Sequence, residues 1–180
     1  YTGEIASMVL VPEIVDAVGD EAAVLAAGGI GSGRQIAAAL ALGASGVWMG
    51  SYWLTTSEYK LGSAAGESMS TIQRALLGAT SSDTVRSRIY SGKPARLLKT
   101  KWTDAWSKPG APDPLPMPLQ NILVAEAHQR ISEAQDPEVV AMPAGQIIGS
   151  LEGVVPVADT MAQIVAEYSA AVERLRATLA

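Results

Sequence analysis

Two short glycine-containing segments of this sequence have the composition of a phosphate-binding site. The first is GGIGSG at residues 28–33, and the second is formed by Gly50 and Ser51. Glycine has no Cβ, so the backbone of such loops approaches a ligand closely and adopts positive φ angles. A helix that follows a loop of this kind presents unpaired N–H groups and the positive end of its dipole to an anion. The chemistry that these residues favour is therefore phosphate binding.

The spacing of the glycines distinguishes between kinds of phosphate loop. No Lys-Ser or Lys-Thr pair follows residues 28–33, which excludes a Walker loop, and the third glycine comes too early for GxGxxG. The pattern does fit the phosphate site of a (β/α)8 barrel, where the loops after the last two strands share the anion. The alternative is a tight turn between a strand and a helix that holds no ligand.

The segments around these glycines have the pattern of a βαβ unit. Residues 22–27 and 44–49 are apolar runs of strand length, and we expect both strands to be buried on both faces. Between them, residues 34–42 form an Ala/Leu-rich helix with Ser32 as its N-cap. A short helix over residues 11–18 precedes the unit. Because parallel strands need helices on their outside, these elements predict an α/β fold.

Beyond residue 60 the alternation of strands and helices stops. Spacing predicts helices over residues 67–78 and 119–134, with a proline-rich linker at 108–118 and an apolar segment at 139–151. The last predicted element is a helix over residues 159–179 with Asp159 as its N-cap. Its predicted apolar face consists of Met161, Ile164, Val165, Tyr168 and Val172.

The composition excludes several kinds of chemistry. There is no cysteine and a single histidine, His128, so disulfide scaffolds, thiolate nucleophiles and Cys- or multi-His metal sites are excluded, and we expect no metal. With 13 basic and 18 acidic side chains, the net charge of −5 argues against a nucleic-acid partner. No secretory signal is visible, so a cytoplasmic location is expected. We expect His128 itself to be an ordinary surface or half-buried residue.

One uncharged run, residues 35–57, is long enough to span a bilayer. Glycines interrupt it at positions 43, 46 and 50, and its second half carries Ser, Thr, Trp and Tyr. We therefore interpret the run as a helix followed by a strand, and expect no membrane partner.

The longer run VLAAGGIGSGRQIAAALALGASGVWMGS, residues 24–51, resembles the FMN phosphate segment of the nitronate monooxygenases, formerly called 2-nitropropane dioxygenases. The resemblance continues upstream through TGEIASMVLVPEIVDAV and downstream through TVRSRIYSGKPARLL, MPLQ and AGQIIG. The glycine segments alone are shared with other FMN barrels, including flavin-dependent enoyl reductases. The resemblance implies FMN as cofactor and a (β/α)8 TIM barrel with a smaller helical domain inserted near its end.

The length of the chain limits how much of such a barrel it holds. A barrel needs about 250 residues, so the 180 residues here should not close one. The resemblance implies the C-terminal part, with the N-terminal half of the barrel expected before Tyr1. We predict the last βα units of the FMN-binding barrel in residues 1–60, a mainly helical subdomain in 61–155, and a C-terminal helix returning to the barrel wall in 156–180.

Carried over by position, the resemblance implies that FMN is held mostly by backbone N–H groups, with the Ser51 hydroxyl as a further phosphate donor. The residues at the family's flavin-binding positions are Gly3, Gly28, Gly29, Trp48, Met49, Gly50 and Ser51. Gln146 in AGQIIG and Tyr52, just after the second strand, are candidates for the substrate pocket.

The resemblance also places a catalytic base. The family has a histidine in a Gly-Gly-His-x-Gly motif, and this chain begins Tyr1-Thr2-Gly3. Either Tyr1 occupies the histidine position, or the chain was cut there and its first residue is accidental. A tyrosine with a pKa of about 10 is a poor base at neutral pH. Oxidation of a preformed nitronate, which needs no proton abstraction, would suffer less than oxidation of a neutral nitroalkane.

Two further groups of side chains have both a functional and a structural interpretation. Six basic residues close in sequence could steer an anionic substrate or a nicotinamide-cofactor phosphate, although a solvated face paired with acids is favoured: Arg86, Arg88, Lys93, Arg96, Lys99 and Lys101. Trp102 and Trp106, one helical turn apart, could cap a flavin or substrate, although a role as packing anchors is favoured.

The predicted function is FMN-dependent oxidation of alkyl nitronates by dioxygen to a carbonyl compound and nitrite, with nitroalkanes as further candidate substrates. The alternatives are another reaction of an FMN barrel, such as NAD(P)H-dependent enoyl reduction, and a non-catalytic flavin-binding protein. The expected partners are a small-molecule substrate and dioxygen, and a homodimer is the expected assembly.

Overall fold

A computed structural model describes residues 3–60 and 68–179. Its first elements are α1 (Ser7–Val18), β1 (Leu25–Ala27), α2 (Gly33–Ala41) and β2 (Gly46–Trp48). The two strands pair in parallel, which confirms the predicted βαβ unit. Ser32 is the N-cap of α2, as predicted, and its hydroxyl oxygen accepts the N–H of Gln35 at 3.3 Å.

The two parallel strands are shorter than predicted and are covered on one face only. Ala26 is buried in a cluster with Val11 and Ala39 from the flanking helices. Successive side chains of a strand point to opposite faces, and the second face is open, since Leu25 is 52% exposed and Trp48 is 71% exposed. The prediction that both strands are buried on both faces is therefore wrong within the part of the chain that the structure describes.

The remaining elements form a mainly helical subdomain with one hairpin, followed by a long final helix. They are α3 (Thr71–Leu77), β3 (Thr84–Ser87), β4 (Ala95–Leu98), α4 (Lys101–Trp106), α5 (Leu119–Ala134) and α6 (Val157–Ala177). The bounds of α5 agree with the prediction, and α3 begins later than predicted, its predicted start at residue 67 lying outside the described residues. The antiparallel pair β3–β4 was not predicted, because the arginines and lysines of this stretch hide its apolar alternation.

Two buried glutamines join the loops of the subdomain to its core. The Nε2 of Gln73 donates to the Thr56 carbonyl at 2.9 Å, and Gln73 also forms a capping box with Ser70 at the start of α3. The Nε2 of Gln120 donates to the Ile89 carbonyl at 2.9 Å, and its Oε1 accepts from the backbone of the proline-rich linker. Buried amides that are fully hydrogen-bonded hold irregular segments in one arrangement.

The start of α6 is set by a residue from a distant loop. The N–H of Val157 donates to the carboxylate of Glu58, 3.1 Å from Oε1 and 3.0 Å from Oε2. This hydrogen bond lowers the pKa of Glu58. Asp159 lies inside the first turn of α6, so its prediction as the N-cap is wrong.

The buried face of α6 differs from the predicted one. It carries Thr160, Ile164 and Ala171, and the helix packs against α2. Of the predicted apolar face, Ile164 is buried, whereas Met161 is 45% exposed and Val165 is 56% exposed. The apolar spacing of α6 alone does not contain the information that fixes its rotation, because the rotation depends on the contact with α2.

That contact is closest at Gly33, the first residue of α2. A Cβ built there would lie 2.1 Å from the backbone nitrogen of Tyr168 and 2.3 Å from the carbonyl oxygen of Ile164. The Gly33 N–H donates to Oε2 of Glu167 at 2.9 Å. The absence of a side chain at this position therefore allows α6 to lie directly on the start of α2.

We expect the substitution Gly33→Ala to lower the free energy of unfolding by about 1–3 kcal/mol, because the new methyl group meets backbone atoms that cannot rotate away. The matched control is Gly153→Ala, where a Cβ meets nothing within 4 Å, and the expected change is within about 0.5 kcal/mol. Urea denaturation of both variants measures the difference. Equal stabilities of the two variants would contradict the proposed close contact.

His128 is half-buried in an aromatic cluster. Its ring stacks on Tyr90, with centroids 4.9 Å apart and an interplanar angle of 26°, and meets Trp102 edge to face at 5.7 Å. Trp102 also contacts Trp106 edge to face at 5.8 Å. Both tryptophans pack against the buried cluster around Ile89, as expected for packing anchors. The Nε2 of His128 is buried with no hydrogen-bond partner among the described residues.

Burial lowers the pKa of His128, so the folded protein binds this proton less readily than the unfolded chain. The resulting stability is complete above the unfolded-state pKa of about 6.5 and is lost as the pH falls through that value towards the folded-state pKa. We expect the melting temperature of the wild type to fall more between about pH 7.5 and 5.5 than that of His128→Phe, which keeps an aromatic ring. Parallel pH profiles would show that His128 does not titrate with unfolding.

The uncharged run of residues 35–57 is divided between α2, β2 and a 3-10 helix at Ser51–Thr55. Within residues 3–60 and 68–179, no helix combines the length and the apolar character needed to cross a bilayer. The interpretation of this run as helix and strand is confirmed.

Candidate functional site

A cavity of about 450 Å³ lies at the carboxyl ends of β1 and β2. The lining residues from the strand ends and the loops after them are Ala27, Gly28, Gly29, Ile30, Trp48, Gly50, Ser51 and Leu54. Those from the subdomain are Ala95, Arg96, Pro143, Ala144, Gly145 and Ile147. Parallel pairing brings together the two glycine segments that lie far apart in sequence, since the carboxyl ends of paired parallel strands share one edge.

The backbone of the glycine segments in this cavity is not covered by side chains. Gly28 and Gly29 have φ angles of 95° and 73°, which favour glycine over any residue with a side chain. A Cβ built on Gly28, Gly29 or Gly50 would meet no atom within 4 Å. Within the described residues, the N–H groups of Gly29, Gly50 and Ser51 donate to no protein acceptor. A cradle of open N–H groups without side chains fits a phosphate group.

The start of α2 is organised differently from the prediction. The Gly31 N–H donates to Oε1 of Gln35 at 2.9 Å, and the Gly33 N–H is bound by Glu167. The helix therefore does not present these N–H groups to a ligand, because protein side chains already accept them. The N–H groups that remain available to a phosphate therefore lie in the two glycine segments, at Gly29, Gly50 and Ser51.

The side chain of Gln35 forms two hydrogen bonds to the backbone of the first glycine segment. Besides accepting from Gly31, its side-chain amide donates to the carbonyl oxygen of Gly29. The glycine pattern alone does not indicate this role for Gln35. The available signal was the Ser-x-x-Gln spacing from Ser32 to Gln35, which is a capping-box pattern.

Ser51 links the loop after β2 to the subdomain residues that line the cavity. Its Oγ accepts the N–H of Gly145 at 2.8 Å. The hydroxyl hydrogen does not take part in this bond, so it is free to donate towards the cavity. This arrangement fits the expectation that Ser51 is a phosphate donor, and it places the Gly145–Gln146 turn beside the glycine segments.

Two of the other predicted site residues, Met49 and Gly3, are not part of the lining of this cavity. Met49 lines a separate apolar space with Leu25 and Trp53. Gly3 is exposed and is not part of the lining, and Tyr1 lies outside the described residues. These assignments stay predictions, because they depend on the flavin ring and on the substrate.

Both predicted substrate-pocket residues also point elsewhere. Tyr52 lines a neighbouring, more polar cavity of about 240 Å³ that also contains Arg34 and Glu167. Burial raises the pKa of Tyr52, and the charges of Glu167 and Glu152 raise it further. The side chain of Gln146 is exposed, although its neighbours on both sides line the cavity.

Comparison with known proteins identifies the family to which this chain belongs. The family model for nitronate monooxygenase matches residues 1–167. The chain belongs to the nitronate monooxygenase family. Its fold is the C-terminal part of a (β/α)8 barrel with an inserted, mainly helical subdomain, and the family consists of flavin-dependent oxidoreductases.

Three individual proteins show how far the similarity extends. A putative monooxygenase, Rv1533, from Mycobacterium tuberculosis is 50% identical over 98% of this chain and 46% of the relative. The structure of nitroalkane oxidase from Streptomyces ansochromogenes has a TM-score of 0.79 at 29% identity, covering 95% of this chain and 46% of that one. FabK from Thermotoga maritima has a TM-score of 0.74 at 29% identity, with coverages of 98% and 53%. The chain thus spans about half the length of these proteins.

We expect Gly29→Leu to abolish FMN retention, because the side chain would enter the cavity and the positive φ disfavours any Cβ. The control is Gly153→Leu, which also enters open space but lies outside this cavity. Flavin absorbance per mole of protein after gel filtration measures retention, and circular dichroism checks the fold. Unchanged flavin content in Gly29→Leu would contradict the phosphate position.

Proposed function

We propose that this protein binds FMN in the cavity at the ends of β1 and β2 and oxidises alkyl nitronates with dioxygen. The observation that carries the proposal is the meeting of two bare glycine segments in one cavity, with open N–H groups at Gly29, Gly50 and Ser51. When bound, FMN would supply the electron transfer between nitronate and dioxygen that yields a carbonyl compound and nitrite.

The chain itself would bind the FMN phosphate, orient the cofactor and keep water out of the cavity. The phosphate would be held by the N–H groups of Gly29 and Gly50 and by the N–H and hydroxyl of Ser51. The apolar side chains of Leu54 and Ile147 would exclude water from the cavity. Neutral N–H donors suit this protein, because its net charge of −5 offers an anion no general attraction.

The lining of the cavity favours a nitronate over a neutral nitroalkane as substrate. No carboxylate and no histidine line it among the described residues, and His128 is buried in the aromatic cluster of the subdomain. A nitroalkane must lose a proton from carbon, which needs a positioned base. A nitronate has already lost that proton, so its oxidation does not depend on such a base.

The second candidate is another reaction on the same barrel, the NAD(P)H-dependent reduction of an enoyl thioester. The observation that favours testing it is the structural similarity to FabK, which nearly equals the similarity to nitroalkane oxidase. The third candidate is flavin binding without catalysis.

One set of measurements on the protein at its full native length separates the three. We expect the purified protein to be yellow and to form nitrite from propyl nitronate in air. A protein that stays colourless when FMN is added would contradict the flavin proposal. A yellow protein that forms no nitrite but oxidises NAD(P)H with an enoyl thioester would support the reductase, and one with neither activity would support binding alone.

A further inference from the structure

Arg96 differs from every other residue of the cavity. Among the described residues that line it, Arg96 alone carries a charge. The remaining lining consists of glycine, apolar side chains and one serine. Arg96 is half-buried, so the cavity offers a partly exposed positive charge to an anion.

The pleat of β4 shows where the Arg96 side chain points. Ala95 and Leu97 belong to the buried cluster that contains Ile89. Leu98 belongs to a different cluster, with Ala144. Since alternate side chains of a strand share a face, Arg96 lies on the side of Leu98, and Ala144 on that side lines the cavity.

The guanidinium is fixed in place without being neutralised. Its Nη1 donates to Oγ1 of Thr84 at 3.1 Å, a neutral acceptor. Within residues 3–60 and 68–179, Arg96 forms no ion pair, whereas its cross-strand neighbour Arg86 has the carboxylate of Glu4 at 3.4 Å. Arg86 thus has a carboxylate partner, and an anion in the cavity would supply the corresponding counter-charge for Arg96.

We propose that Arg96 binds the planar two-oxygen group of an anionic substrate, the nitronate of the proposed reaction. This inference rests on the proposed function for the identity of the substrate, although the anion site itself does not. The fork of a guanidinium matches a planar pair of oxygens. A flavin phosphate would be the other anion in the cavity, and the open N–H groups of Gly29, Gly50 and Ser51 already suit it.

Inorganic nitrate tests the site without turnover, because it is planar, singly charged and unreactive. Titration of the FMN-loaded protein with nitrate, followed by the flavin absorbance spectrum, gives a dissociation constant. We expect Arg96→Gln to weaken nitrate binding about 10- to 100-fold, as for the loss of a charge-assisted hydrogen bond. The affinity for FMN should stay unchanged, and the KM for propyl nitronate should rise by a similar factor.

Three further variants separate anion binding from a structural role. Lys99→Gln removes a charge from an exposed position of the same stretch, and we expect no change in nitrate affinity. Thr84→Val removes the hydrogen bond that fixes the guanidinium, and we expect a smaller weakening. In Arg96→Ala, added guanidinium chloride should restore nitrate binding, whereas sodium chloride at the same concentration should not.

The outcomes that overturn the inference are distinct from those that overturn the proposed function. A wild type that binds no nitrate, or an Arg96→Gln variant that binds it equally well, would overturn the substrate role. So would a loss of FMN affinity in Arg96→Gln, which would assign the guanidinium to the phosphate. If nitrate affinity depends on Arg96 but the wild type forms no nitrite, the result would support the anion site and contradict the proposed oxidation of nitronates.

Discussion

The parallel pairing of β1 with β2 is the interaction on which the rest of the site depends. It aligns Leu25 with Gly46 and Ala27 with Trp48, so both chains leave the sheet at the same edge. The glycine segments that follow then face one space. These 180 residues carry a net charge of −5, so an anion at this edge depends on directed local donors, such as backbone N–H groups, rather than on a general positive field.

The glycine segments keep their shape because side chains from elsewhere hold them. Gln35 binds the first segment through both ends of its amide, and Glu167 of α6 accepts from the start of α2. Ser51 holds the turn at Gly145 against the second segment. The carboxylate of Glu167 takes the place that an anionic ligand would occupy at the helix start. The open N–H groups consequently lie in the loops, away from that negative charge.

Local patterns were sufficient to predict the elements whose causes are local. The βαβ unit, the Ser32 cap and the bounds of α5 follow from spacing and capping chemistry within a few residues. The start of α6 was missed because Glu58, 99 positions before Val157, supplies the hydrogen bond. The orientation of Tyr52 into a second cavity and of Arg96 into the first depends on packing between elements. Long-range contacts of this kind leave no trace in the periodicity of one segment.

The two sets of lining residues would hold anions by different physical means, and this difference would matter for any reaction between two bound groups. Neutral N–H donors stabilise a phosphate through several directed hydrogen bonds and add no net charge to the cavity. A single guanidinium adds one full positive charge at one place, fixed by Thr84. A cavity whose only described charge lies on the subdomain wall attracts a small anion towards that wall. Under the proposed assignments, the glycine segments and Arg96 would bind two negative groups at different residues of the same cavity.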